Sequence, residues 1–151
     1  MSWKINIRPM RGEDLDGVFW IERDSFSIPW SKEAIKRELE NPHCICLVAE
    51  VNGRLAGFIM GRYVVDEAEV LEFAVKEEFR RKGVGLGLLS ALKEKLRKRN
   101  IKVLYLEVRQ SNTPAIRLYQ KAGFKEWGRR RDYYFEPRED ALLMKLPLEE
   151  L

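Results

Sequence analysis

The sequence predicts a single α/β domain spanning residues 1–151, built on a mixed, mostly antiparallel sheet flanked by helices. Three observations carry that expectation. The runs Cys44–Glu50 and Leu55–Val65 are strand-like and are joined by Asn52-Gly53, a pair that favours a tight hairpin. The run Val70–Val75 leads through a basic, glycine-rich turn into a helical pattern and then into Val103–Val108, so one parallel step is built in. The chain has 151 residues, 45% of them hydrophobic. One core of that size buries about two-thirds of the unfolded surface, and too little chain remains for a second domain.

The elements follow in order. Ile5-Asn6-Ile7, ahead of Arg8-Pro9, reads as a first strand. Asp14–Phe26 carries Leu15, Val18, Phe19 and Glu22 at helical spacing, and Ser31 opens a second helix that ends near Asn41-Pro42. The hairpin comes next, then the strand Val70–Val75 and the helix to about Arg99. After Val103–Val108, the stretch Thr113–Ala122 is a short helix with Pro114 in its first turn, and Gly123 stops it. Phe124–Phe135 and Ala141–Leu146 are the last strands. The order is β-α-α-β-β-β-α-β-α-β-β.

The turn itself reads Phe-Arg-Arg-Lys-Gly-Val-Gly-Leu-Gly over residues 79–87. Its three glycines let backbone approach a ligand with no Cβ in the way. The helix that follows offers unpaired N–H groups and the positive end of its dipole, which together form an anion site. Arg80, Arg81 and Lys82 add charge at the same place. A phosphorylated ligand fits such a turn. A triphosphate loop would need Lys-Ser/Thr after the last glycine, and Leu88-Leu89 stands there instead. A dinucleotide fingerprint would need wider glycine spacing, although Glu107 lies near the position of its acid. The glycines alone leave the ligand open.

Charge and composition exclude other classes. The formal net charge of +4 suits an anionic cofactor and is small for a dedicated nucleic-acid binder. No apolar stretch approaches the ~20 residues of a membrane span, and the amino-terminal segment lacks a signal-peptide core, so a cytoplasmic protein without membrane partners is expected. Cys44 and Cys46 share one strand face at about 6.5–7 Å between Cα atoms, too far for an easy bridge, and read as buried apolar residues. With His43 the single histidine, no structural zinc site is expected.

Two further residues invite chemistry. Glu107 is the sole charge in the apolar run Val103–Val108, near the end of the strand where open sheets collect ligands. A carboxylate there is costly to bury unpaired, so it either reaches water or an arginine, or serves as a base. Tyr119 follows Ile116 by three on the short helix, which by itself describes a core-facing aromatic.

The element order, with Arg-x-x-Gly-x-Gly after the fourth strand, resembles the GNAT acetyltransferases over nearly the whole chain. Within them it is similar to the ribosomal-protein N-terminal acetyltransferase group and its archaeal and eukaryotic amino-terminal relatives. The matching segments are Pro29-Trp30-Ser31, Phe73-Ala74-Val75, Arg80–Gly85, Leu106–Arg109, Ser111-Asn112, Ala115-Ile116, Leu118-Tyr119, Gly123-Phe124, Arg130-Arg131 and Tyr133-Tyr134.

The resemblance implies a GNAT-like fold and transfer of acetyl from acetyl-CoA to a protein N-terminus, with a ribosomal protein as one such acceptor, by direct attack in a ternary complex. A small-molecule amine or a lysine side chain is the alternative acceptor. It also implies that Arg80, Arg81, Lys82, Gly83, Val84, Gly85 and Leu86 hold the pyrophosphate, and that Phe73, Ala74 and Val75 pair with the pantetheine arm. Glu107 becomes the general base, direct or through water, and Tyr119 the acid for the thiolate. Asn112 is a coenzyme A ligand in this reading and a helix N-cap in the plain one, and the two roles compete. Pro29 and Trp30 form one wall of the acceptor site, Tyr133 and Tyr134 the other.

Overall fold

The computed structural model describes residues 3–149; Met1 and Ser2, part of the amino-terminal segment read above, and Glu150 and Leu151 lie outside the described residues. The element order is β1 (Ile5–Pro9), α1 (Leu15–Ser25), α2 (Lys32–Leu39), β2 (Cys44–Val51), β3 (Arg54–Val64), β4 (Glu67–Val75), α3 (Val84–Lys98), β5 (Val103–Arg109), α4 (Thr113–Lys121), β6 (Lys125–Tyr134) and β7 (Glu139–Pro147). This is the order expected from the sequence. The seven strands form one sheet in the order β1-β2-β3-β4-β5-β7-β6, antiparallel throughout except for the parallel pair β4–β5.

Two apolar layers cover the sheet. On one face, Val84, Leu88, Leu89, Leu92 and Leu96 of α3 are buried against Leu47, Ile59 and Leu104 of the strands, and Tyr119 of α4 joins them. On the other face, Leu15, Val18 and Ile21 of α1 and Ile35 of α2 pack on Cys46, Val48, Phe58 and Met60. The helical spacing of leucines in α3 makes a continuous apolar stripe, which is why a helix that is charged on its outer side folds here. Cys44 and Cys46 lie on this second face as free thiols, their Sγ atoms 3.7 Å apart.

The parallel pairing of β4 and β5 is short. Glu67, Ala68 and Glu69 pair with Val103, Leu104 and Tyr105, and beyond them the strands part. The cause lies on the other edge of β4. Met60 of β3 opposes Glu72 while Gly61 opposes Val70, so Leu71 is an extra residue in a β-bulge. A bulge bends its strand and sharpens the local twist. β4 therefore swings away from β5, and the sheet opens in its middle.

The first strand is anchored to α1 through one charged cluster. Arg8 donates two hydrogen bonds of 2.8 Å to the Asp14 carboxylate, and the Arg11 backbone N–H adds a third at 2.8 Å. Arg8 also donates to Glu50 at 3.1 Å. The Arg8 guanidinium, aided by the Arg11 N–H, holds the Asp14 pKa below its ordinary value. A carboxylate held down in this way adds stability above its unfolded pKa of about 3.9, and loses it as pH falls through the lower folded value. Asp14→Asn is thus expected to cost about 2 kcal/mol at neutral pH. It should also flatten the loss of stability below about pH 4, measured by urea unfolding across an acid series.

Candidate active site

The site is built where β4 and β5 separate. One cleft passes through the gap and is lined by β4 from Glu67 to Val75, the turn into α3, β5 from Tyr105 to Arg109, α4, and the aromatic end of β6. Alternation along β5 divides its residues between two faces. Leu104, Leu106 and Val108 point into the layer with α3 and α4, so Tyr105, Glu107 and Arg109 point to the opposite face. Two ligands can therefore approach from opposite faces and meet in the gap.

The α3 face carries the anion-binding features. Gly83 caps α3 at φ +88°, the left-handed region that favours glycine, and no side chain caps the helix. Arg81 is also left-handed, at φ +64°. The Gly87 N–H already bonds the Gly83 carbonyl at 3.0 Å, so the N–H groups of Val84, Gly85 and Leu86 have no carbonyl one turn back. Arg80, Arg81, Gly83, Gly85 and Leu86 line the cleft.

The Lys82 and Val84 side chains do not line the cleft. Lys82 extends over the Trp3 ring at 5.3 Å, and the Val84 side chain is buried in the core. Only the Val84 backbone faces the turn. Arg80 donates from Nε to the Val75 carbonyl at 2.9 Å and ties the turn to the end of β4. The glycines also divide their work. A Cβ on Gly85 would lie 3.0 Å from Leu118 and 3.3 Å from Phe73, and one on Gly87 would lie 2.9 Å from Ile7. These two admit close packing of α3, whereas Gly83 shapes the turn.

Phe73, Ala74 and Val75 form the end of β4 beside the gap, with no β5 partner. Apart from the Val75 carbonyl, which Arg80 occupies, their outward backbone groups are free for an added strand. Asn112 is the N-cap of α4, its Oδ1 accepting from the Ala115 N–H at 3.3 Å. Asn112 also lines the cleft, with the amide nitrogen left for a ligand.

Tyr119 is 8% exposed, its ring packed between Phe73 and Phe124 at centroid distances of 6.1 and 5.7 Å. It is a core aromatic and a cleft residue at once. Its hydroxyl makes no hydrogen bond to a described residue. Burial, with smaller contributions from Tyr134 and Glu72, pushes its pKa above that of an ordinary phenol, so Tyr119 keeps its proton.

On the opposite face, Glu107 is half-buried, with Arg130 Nε 3.7 Å from Oε1. The Tyr133 hydroxyl is directed at the Glu107 carboxylate, which raises the Tyr133 pKa. Burial, then Glu107, pushes Tyr134 up to about 12. Both phenols are neutral donors at physiological pH. Arg109 lies over the Tyr134 ring at 4.3 Å and bonds Glu139 at 3.2 Å, which holds that aromatic wall upright.

The second expected wall sits elsewhere. Pro29 and Trp30 do not line the cleft; Ser25, Phe26, Ser27 and Ile28 do. Trp30 instead packs against the α1–α2 layer, and its backbone N–H donates to Glu22 at 2.9 Å. Phe26 and Ile28 are exposed apolar groups on the rim, as is Phe135 on the far side. Sequence reading missed Phe26, Ile28 and Arg109, and the exposed hydrophobic positions after α1 were the available signal.

The acetyltransferase (GNAT) family pattern matches residues 15–124. A Bacillus subtilis protein named as a candidate [ribosomal protein bS18]-alanine N-acetyltransferase is 40% identical, covering 99% of this chain and 100% of that one. The crystal structure of the Escherichia coli ribosomal-protein-S18-alanine N-acetyltransferase superposes with a TM-score of 0.90 at 35% identity, over 98% of this chain and 96% of its own. The crystal structure of Ard1 from Thermoplasma volcanium gives a TM-score of 0.87 at 33% identity, over 97% and 99%.

Proposed function

The chain belongs to the GNAT acetyltransferase family, and from that premise we propose that it acetylates the α-amino group of a protein N-terminus, with a ribosomal protein as the acceptor. The observation that carries this reading is the through-going cleft, with a buried neutral phenol on one face of the sheet and a carboxylate between tyrosines on the other. The relatives' names support the acceptor class.

GNAT enzymes use acetyl-CoA, and the residues present fit it. Left-handed Arg81 and Gly83, the uncapped start of α3 and Arg80 make a site for a pyrophosphate. The unpaired end of β4 suits an amide-bearing arm. When bound, acetyl-CoA supplies the thioester carbonyl that an amine attacks. Backbone N–H groups at Phe73–Val75 are placed to polarise that carbonyl.

Glu107 Oε takes up the amine proton, directly or through water. An α-amino group has a reference pKa of about 7.7–8.0 and a lysine about 10.4, so a single carboxylate suffices far more readily for the first. Tyr119 Oη holds the proton that the departing thiolate needs. The Tyr133 and Tyr134 hydroxyls can hold peptide carbonyls. Neither cysteine lines the cleft. That lining supports direct attack by the acceptor amine in a ternary complex over a route through an acetylated thiol.

The deciding experiment offers a hexapeptide with a free amino group, the same peptide blocked at that amine but carrying an internal lysine, and spermidine. One acetyl group on the first residue of the free peptide is expected. Faster turnover of the blocked peptide or of spermidine would move the acceptor to another amine class.

Cofactor binding has its own test. Acetyl-CoA should raise the melting temperature by mass action, and NAD or ATP much less. Arg81 is exposed and sits at the turn, so Arg81→Glu should weaken acetyl-CoA binding about tenfold while leaving the melting temperature of the free protein in place. Equal stabilisation by NAD would sink the assignment.

A further inference from the structure

Glu72 precedes Phe73 on β4 and faces Met60 across the ladder. The bulge at Leu71 turns Leu71 and Glu72 to the same side, toward α1, while Val70 and Phe73 face α3. There the Glu72 carboxyl meets that of Glu22. Glu22 is fully buried in α1. Its Oε2 accepts from the Trp30 N–H at 2.9 Å, whereas Oε1 is buried with no hydrogen-bond partner among the described residues.

A buried carboxylate oxygen with no donor is costly, and two ionised carboxylates in contact repel. One proton on Glu72 removes both costs, because its O–H then serves the Glu22 carboxylate. The environment favours that proton: burial first, then the facing Glu22 carboxyl, drive the Glu72 pKa far above the usual carboxylate range.

We propose that Glu72 is a positioning residue for the acceptor, a neutral acid that donates to Glu22 and so ties the Ser25–Ile28 wall to strand β4 beside Phe73. The link runs from Glu72 to Glu22 and from Glu22 to the Trp30 N–H, closing the loop whose residues 25–28 line the cleft. What is positioned rests on the acceptor reading above; the shared proton does not.

The test joins a spectroscopic and a kinetic measurement. An infrared difference spectrum of wild type against Glu72→Gln at neutral pH should show the carbonyl stretch of a protonated carboxyl in wild type alone, shifted in D2O. Glu72→Gln retains an N–H donor for Glu22, and Glu72→Leu retains only bulk. The KM for the free hexapeptide should be about tenfold higher in Glu72→Leu than in Glu72→Gln, the loss of one hydrogen bond to a charged group. The KM for acetyl-CoA should be equal in the two. A wild-type spectrum without the band, a band that persists in Glu72→Gln, or equal peptide KM values would each overturn the proposal. A wild-type enzyme that ignores the hexapeptide overturns the acceptor reading and the positioning role with it, while the band still decides whether the proton is shared.

Discussion

Glu107→Gln is expected to lower kcat by about 10²- to 10³-fold, the range for loss of a general base. Gln keeps the shape of Glu and can still meet Arg130 and Tyr133 through its carbonyl oxygen, so the β5 wall should stay in place. Glu107 lies on the face of the sheet away from α3 and α4, and acetyl-CoA affinity should therefore be nearly unchanged. Peptide KM should move little, because the proposed grip on the peptide backbone belongs to the tyrosines and not to the carboxylate. A Glu107→Gln enzyme with wild-type kcat would mean that the free amine reacts unaided, with proximity alone carrying the rate.

Tyr119→Phe is expected to lower kcat by about 10²-fold through loss of the proton donor. The fold permits a clean experiment. The ring packs between Phe73 and Phe124, and phenylalanine preserves those contacts. The hydroxyl bonds no described residue, so its removal leaves no orphaned partner and the melting temperature should hold. Loss of stability with undiminished turnover per folded molecule would instead make Tyr119 purely a core residue. The raised Tyr119 pKa does not oppose the role. Burial that weakens the phenol as an acid also makes an unsolvated thiolate a stronger base, and the difference between the two governs transfer.

Local patterns made most of the elements legible. Asn52-Gly53 forms the β2–β3 hairpin, with both residues at positive φ as a tight turn of that kind requires. Ser31 caps α2 by accepting from the Ala34 N–H at 3.1 Å, and Gly123 ends α4 at φ +103°. The start of β4 was not legible. Glu67-Ala68-Glu69 reads as a charged connector, yet it is strand, with both glutamates exposed and Ala68 buried. The turn before it is Val65-Asp66, with Val65 at φ +56°. A β-branched residue in the left-handed region carries no turn signal, so only the pairing of Val64 with Glu67 reveals the hairpin.

The same division runs through the site. Sequence by itself determined the strand–turn–helix with the features of an anion site, the lone carboxylate of β5 and the aromatic pair Tyr133-Tyr134, because each is a short-range pattern of residue type and period. Only the tertiary structure decided how these meet. The bulge at Leu71 comes from the register between β3 and β4, and that one extra residue parts β4 from β5, opens the cleft and carries Glu72 to Glu22. The tertiary structure also lines the cleft with Ser25–Ile28 rather than Pro29-Trp30, because the Trp30 backbone is held by a buried glutamate eight residues earlier. Such pairings join positions distant along the chain, and their energy lies in burial and hydrogen bonding that no local pattern records.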